Sequence, residues 1–475
     1  MVEETGDGAQ VGGYKTIVFV ICSVAALGGL LFGLDQGFIA NSLETLTEHY
    51  DLTVQDKESY SAILATGGIF GALLSGVFAR LLGRKKSLLL AGFIFTAASL
   101  YSALLPNLFI LSACRFALGF GVGMASFVVP LYLSETAPAA IRGSMGTLFQ
   151  LMITIGIFLI SVTNVFIARA FVDPATALPL MFLTITLFAA LMFGGGFILP
   201  ESPRWLMLKG RKEKTIEVLR KTLNTQEEID TEIREIEEAL HGPQGVGFGI
   251  VFRGYFFKVL LVGVLLQMFQ QLVGINVMIY YAPTIFGYAG MKGIIAMMTV
   301  PTVNMLCTIP AIFLVEKWGR KKLLYVGAVA MFVTMVAAGL AFQAIGTGAD
   351  AAIIGNAPKT ILLLAVIVYI FGFAVSWGPV VWLVCSEIFP LEGREVGMTI
   401  TTMVNWTFAG LVMANALTFM ETFGNASIFF LFSGFCIVAI LFVNRLVPET
   451  RGITLEEMEF NLKDGARLRD LGKQR

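Results

Sequence analysis

The sequence predicts an all-α membrane protein of twelve transmembrane helices in two six-helix halves. Three observations carry that reading. The 475-residue chain is 56% hydrophobic and only 14% charged, with a mean hydropathy of +0.80; a soluble domain carries about 25% charge. Its apolar residues gather into runs long enough to cross a bilayer, which takes about 20 residues per helix. A set of charged signatures from the first half of the chain recurs in the second.

Taken in order, the spans are 16–41, 59–82, 87–105, 108–133, 143–168, 178–199, 256–286, 294–315, 322–345, 359–386, 396–420 and 426–446. Breaks fall at charge clusters or at groups such as Leu105-Pro106-Asn107. The first run is read as a retained span rather than a cleaved leader, because no small-residue cleavage site and polar mature sequence follow it. Of the 33 Lys and Arg, only Lys57, Arg169, Lys292 and Lys359 fall in loops after odd-numbered spans. Positive charge stays on the cytoplasmic side, so both termini are expected in the cytoplasm. The longest loop, 200–255, places Ile229, Ile233 and Ile236 at helical spacing among charges. Short amphipathic helices are expected there; a solvated linker is the alternative.

The repeat fixes the halves. Leu82-Gly-Arg-Lys-Lys recurs as Trp318-Gly-Arg-Lys-Lys, Ser134-Glu135 with Arg142 as Ser386-Glu387 with Arg394, and Pro200-Glu201 as Pro448-Glu449. The expected organisation is 1–199, a helical linker 200–255, 256–446 and a tail 447–475. Parallel repeats of this kind place a substrate near the midplane, between halves.

Composition also excludes function classes. Net charge is zero and no basic patch suits nucleic acid. Two histidines and five scattered cysteines give no metal site or disulfide framework. No nucleotide loop or catalytic triad is present, so the chain does not read as an enzyme.

The seventh span holds the densest polar cluster: Gln267, Gln270, Gln271, Gly274, Asn276, Tyr280, Tyr281 and Pro283, without a charge. Polar groups facing lipid are costly, so these should line a protein interior or cavity. Amides both donate and accept, which suits the hydroxyls of a neutral polyol. Amide contacts between helices are the competing reading. Two charges also lie within spans, Asp35 and Arg115. Counted from span ends near Asn41 and Pro106, both sit roughly 10–13 Å below the outer surface. Opposite charges at matched depth should pair, as a proton switch or as a fixed structural pair. The repeat aligns Phe32-Gly-Leu-Asp35 with Val273-Gly-Ile-Asn276. That suggests a proton site in one half and ligand contacts in the other.

These pieces together resemble the sugar-porter family of the major facilitator superfamily. The resemblance rests on the Gly-Arg-Lys-Lys loops, Arg115 before Gly119-Phe-Gly-Val-Gly123, Pro200-Glu-Ser-Pro-Arg-Trp205, Gln270-Gln271-x-x-Gly274-x-Asn276, Tyr280-Tyr281-Ala-Pro283, Gly378-Pro379-x-x-Trp382, Asn405-Trp406 and Val447-Pro-Glu-Thr450. Within the family the chain looks most like bacterial galactose– and arabinose–proton symporters, through Phe149-Gln150 to Gly156 and Val384-Cys-Ser-Glu. The resemblance implies Asp35 as proton site and Arg115 as its tuner. For the sugar it implies Gln150, Gln270, Gln271, Asn276, Tyr280, Asn304, Trp382 and Asn405. Trp382 should sit beneath the sugar and stack on it; Phe32 and Phe373 are either apolar walls or ordinary core. Gly378 and Pro379, with Tyr281, are expected at a gate hinge, a passive kink being the alternative. Glu135 with Arg142, Glu387 with Arg394, Glu201 with Arg204, and Glu316 and Arg320 are expected in a cytoplasmic charge network between halves. One departure stands out: the family's acidic residue in the first such loop is Arg80 here, whereas the second half keeps Glu316.

The implied activity is monosaccharide–proton symport by alternating access in the plasma (inner) membrane, by a monomer, with galactose, glucose, arabinose or xylose as candidate substrates. The proton is the coupling ion, and no other cofactor or metal is implied. A facilitative uniporter would share the sugar contacts but need no acid at Asp35. A sugar sensor would need a longer tail than 447–475, and a drug–proton antiporter a greasier cavity.

Overall fold

The computed structural model describes residues 10–11, 14–138, 141–241, 247–291, 293–345, 356–453 and 455–472. Among the described residues, eleven helical segments are long and apolar enough to cross a membrane. The third predicted span completes twelve: Arg84–Ser102, 19 residues, opens on three consecutive cations and packs between spans 4 and 6. Within the two halves, span 1 lies on span 5, span 2 on span 4, and span 9 on spans 10 and 12. The halves meet along two seams, span 2 on span 11 and span 5 on span 8. A short hairpin, Gln10–Val11 with Tyr14–Lys15, precedes span 1.

Helix ends follow local chemistry. Thr53 and Asp56 form a reciprocal capping box that starts span 2. Asn107 caps span 4 and Asp173 caps span 6. Span 1 departs from its predicted end near Asn41 and runs from Thr16 to Tyr50. Polar residues do not stop it because they find partners: Asn41 donates to Gly37 O one turn back and to Ser161 Oγ of span 5, and Thr47 to Leu43 O. Asp51, in the left-handed region at φ 52°, ends it. Asp35 therefore lies well inside one long helix, not close to its end.

Close helix approach depends on missing side chains. A Cβ on Gly33 would lie 1.9 Å from Ile153 O of span 5, and one on Gly119 would lie 2.0 Å from Leu64 O of span 2. Small residues of this kind allow helices to pack without a hydrophobic drive from water.

Among the described residues, three spans are broken along their length. Span 7 is Gly254–Leu272, Ile275–Tyr280 and Ala282–Tyr288. Its first break is at Gly274, whose φ of 96° suits only glycine comfortably. Span 10 is Asn356–Val375 and Trp377–Ile388, and span 11 is Arg394–Met413 and Ala416–Phe423. Irregular backbone at membrane depth persists only where protein or a cavity satisfies it. Tyr369 Oη donates to Val273 O at 2.9 Å, and Tyr281 Oη to Met413 O at 3.1 Å. The sequence places the span 10 interruption at Gly378-Pro379, but it falls at Ser376 (φ −132°, ψ −85°). Pro379 then occupies the first turn of the following segment, where its absent N–H has no partner to lose.

The linker forms helices Pro203–Leu208, Lys212–Thr222 and Gln226–His241. Ile229, Ile233 and Ile236 pack on Met207 and Leu219 in a small core of their own. Trp205 Nε1 donates to Arg80 O at 3.0 Å and docks the linker on span 2. The face of the bundle that carries these helices is called the linker face below.

Candidate functional site

A cavity lies between the halves, lined from spans 1, 5, 7, 8, 10 and 11. Gln150, Gln270, Gln271, Asn276, Asn304, Trp382 and Asn405 line it, and so do Phe32 and Phe373. Phe32 is both wall and packing residue, its ring 4.8 Å from that of Trp406. Trp382 stands edge-on to Phe149 at 6.1 Å and also lines a second cavity that reaches Glu387. The Trp382 ring therefore partitions the two. Tyr280 does not line the cavity: it is fully buried, against Asp35, Arg115 and Gln36.

The amides form one continuous chain. Gln36 Nε2 donates to Asn276 Oδ1 (2.9 Å), Asn276 Nδ2 to Gln271 Oε1 (2.5 Å), and Gln271 Nε2 to Asn405 Oδ1 (3.1 Å). Asn405 Nδ2 donates to both Gln267 and Gln270 (2.6 and 2.7 Å). Gln270 Nε2 ends the chain on the carbonyls of Trp377 and Gly378 (2.8 and 3.2 Å), in the first turn after the span 10 break. Asn304 Oδ1 is buried without a donor. Sequence reasoning missed Gln36.

Beside this cavity, Arg115 Nη1 and Nη2 hold Asp35 Oδ1 and Oδ2 at 2.7 and 3.2 Å. Both side chains are sealed from solvent. Arg115 Nε also donates to Tyr60 O at 2.8 Å, and its guanidinium lies 5.0 Å from the Tyr60 ring centroid. The pair predicted from span depth is therefore present, though span 1 extends farther than predicted.

The linker face shows the repeat at atomic detail. Glu201 accepts from the N–H groups of Arg84, Lys85 and Ser202, capping span 3. Glu449 does the same for Arg320, Lys321 and Thr450, capping span 9. Burial is the main influence on the Glu201 carboxyl and holds it above its usual range against these donors. Arg84 pairs with Glu135 at 2.8 Å and Arg320 with Glu387 at 2.9 Å. Ser202 and Thr450 bond the same two carboxylates.

Two expected pairings are corrected. Glu201 does not pair with Arg204, which faces Glu232 of the linker at 3.9 Å. The direct ion pair of Glu387 is with Arg320 of its own half, while Arg394 is buried at the start of span 11. The Arg142 side chain lies outside the described residues. Glu316 pairs with Arg320 at 3.4 Å within the second half. The equivalent place in the first half is Arg80, and there Arg84 reaches across to Glu395 of span 11 at 3.2 Å. The departure at Arg80 thus coincides with a cross-half ion pair. At the opposite face, Glu58 of span 2 accepts from Leu417 N, Thr418 N and Thr418 Oγ1 at 2.8, 2.9 and 2.6 Å. It caps the Ala416–Phe423 segment of span 11 from the other half.

The model of the family described as "Sugar (and other) transporter" matches residues 21–462. This chain belongs to that family. The transporter is 39% identical to the galactose-proton symporter of Escherichia coli (strain K12) over 96% of this chain and 97% of that one. It is 36% identical to the arabinose-proton symporter of the same organism, over 94% of each. Its fold matches the major facilitator superfamily proton:xylose symporter XylE bound to 6-bromo-6-deoxy-D-glucose, with TM-score 0.83 and 32% identity, covering 93% of this chain and 98% of that chain. The transporter is an integral membrane protein of the major facilitator superfamily and not an enzyme.

Proposed function

We propose that the chain carries a monosaccharide into the cell with a proton, by alternating access of the central cavity. The observation that carries this reading is a sealed carboxylate–guanidinium pair, Asp35–Arg115, directly beside an uncharged, amide-lined cavity. The amides and the donor-free Asn304 Oδ1 suit hydroxyls that both donate and accept. Trp382 and Phe32 offer apolar faces to sugar C–H groups. Asp35 takes the proton from outside, and Arg115 holds the carboxylate once the proton has left. The proton is the only coupling partner this scheme needs. The Lys- and Arg-rich linker face is assigned to the cytoplasm, with both termini. Galactose, glucose, arabinose and xylose are the substrates to test, because relatives are named for three of them and for glucose.

The deciding experiment adds each sugar to de-energised vesicles and records external pH. Symport predicts alkalinisation outside with the transported sugar alone. Sugar entry without any pH change would replace this reading with facilitated uniport.

A further inference from the structure

Side-chain polar contacts between the halves include Glu58 with Leu417 and Thr418, Arg84 with Glu395, and between them Gln36 with Asn276. The middle contact is the one inside the cavity. Gln36 is 4% exposed, lines the cavity and follows Asp35 directly in the helix. Its Nε2 donates to Asn276 Oδ1 at 2.9 Å, and Asn276 opens the amide chain that runs to the break in span 10. Other polar side chains lining the cavity come from span 5 and from the second half; Gln36 is the polar contribution of span 1.

We infer that Gln36 is a specificity-determining sugar contact, through which span 1 reads one particular hydroxyl. This inference rests on the sugar-transport reading above. A hydroxyl inserted between Gln36 and Asn276 accepts from the Gln36 Nε2–H and donates to Asn276 Oδ1. Both amides then remain satisfied, and the direct bond between halves becomes a bond through the ligand. A hydrogen in place of that hydroxyl cannot make the exchange and leaves the amides to each other. Discrimination against the matching deoxy sugar follows, because polar groups built to bind a hydroxyl penalise its absence. The contact also puts sugar occupancy one residue from the carboxylate assigned to the proton.

The test is an equilibrium binding measurement on purified protein in nanodiscs, which requires no proton gradient. The tightest of D-galactose, D-glucose, L-arabinose and D-xylose is chosen with the wild type, and its singly deoxygenated analogues are then compared. Gln36→Ala and the volume-preserving Gln36→Met are measured in parallel, with thermal unfolding as the folding control. The parent sugar should bind about two- to twelve-fold more weakly to either variant, the loss of one neutral hydrogen bond. One deoxy analogue should bind wild type and variants alike, while the others keep the full loss. If every analogue shows the same penalty relative to the parent in the variants as in the wild type, Gln36 reads no hydroxyl and the inference is overturned. If the wild type binds none of the four sugars, the transport reading falls first and the Gln36 assignment with it.

Discussion

Replacing Asp35 with Asn tests the coupling mechanism at its centre. The Asp35–Arg115 pair is closed to solvent and bidentate, at 2.7 and 3.2 Å. Breaking a buried pair outright costs about 3–5 kcal/mol. Asn keeps an amide oxygen for the shorter bond, and Arg115 keeps its 2.8 Å bond to Tyr60 O. The expected loss is nearer the ~1–3 kcal/mol of one weakened buried donor, within a total stability of about 5–15 kcal/mol. The variant should therefore fold. What it loses is the driving force: one proton gains roughly 2.3 kcal/mol per 100 mV. At about 1.4 kcal/mol per tenfold ratio, that sustains roughly fifty-fold accumulation. Asp35→Asn should equilibrate sugar across the membrane and concentrate none. Counterflow of labelled against unlabelled sugar should persist, since exchange moves no net proton and the cavity amides sit on other residues. Both quantities are read in the same energised vesicles. Sugar still concentrated against its gradient would place the proton site elsewhere; loss of counterflow in a well-folded variant would make the pair structural.

Gln271→Ala cuts the amide chain between Asn276 and Asn405 and should weaken sugar binding by about tenfold or less at normal abundance; an unchanged affinity by titration calorimetry would remove Gln271 from the site. Glu395→Gln should expose the cavity to the linker face, because it weakens the one ion pair there that joins the halves among the described residues; thiol labelling of a cysteine placed near Ser386 reports it, and unchanged labelling refutes the latch. Glu58→Gln should raise access from the opposite face, since hydrogen bonds to a charged group contribute about 1.5–3 kcal/mol each; the same labelling near Tyr281 measures it, and labelling equal to the parent counts against a closing role. Gly274→Ala should lower the unfolding temperature measurably, because the added Cβ meets the Phe432 ring at 2.3 Å on a backbone with φ 96°; an unshifted transition would show that the break relaxes freely.

The features legible in the sequence were those whose cost in a bilayer leaves few alternatives. Uncharged amides crowded into span 7 had to face one another or a ligand: Gln270, Gln271 and Asn276 line the cavity, and Gln267 is buried against Asn405 and Cys385. A lone acid and a lone arginine at compatible depth had to meet, and they do. Span counts survived because length and apolarity are properties of the chain alone. Pairings at helix ends were less legible, since they depend on rotation and tilt that composition does not encode. Glu201 bonds backbone N–H groups of span 3, not the arginine three residues along. Glu58 and Glu395 each lie one residue outside a predicted span, 59–82 and 396–420, where charge is unremarkable; both bridge the halves. Gln36 was overlooked beside the more conspicuous Asp35. An amide adjacent to a charge within an otherwise apolar run was the available signal.

The contact between Gly33 and Ile153 has a mechanical meaning. With backbone set against backbone, spans 1 and 5 have no slack between them along this stretch. Gln150, one turn from Ile153, and Asp35, next but one to Gly33, are thus mounted on the same stiff block. A ligand held by Gln150 would then shift the carboxylate together with it, as teeth cut on a single shaft turn without backlash. Coupling between the two sites would then need no relay of side-chain rotations through span 5, only a block that tilts as a whole while Arg115, on a neighbouring helix, follows by a different amount.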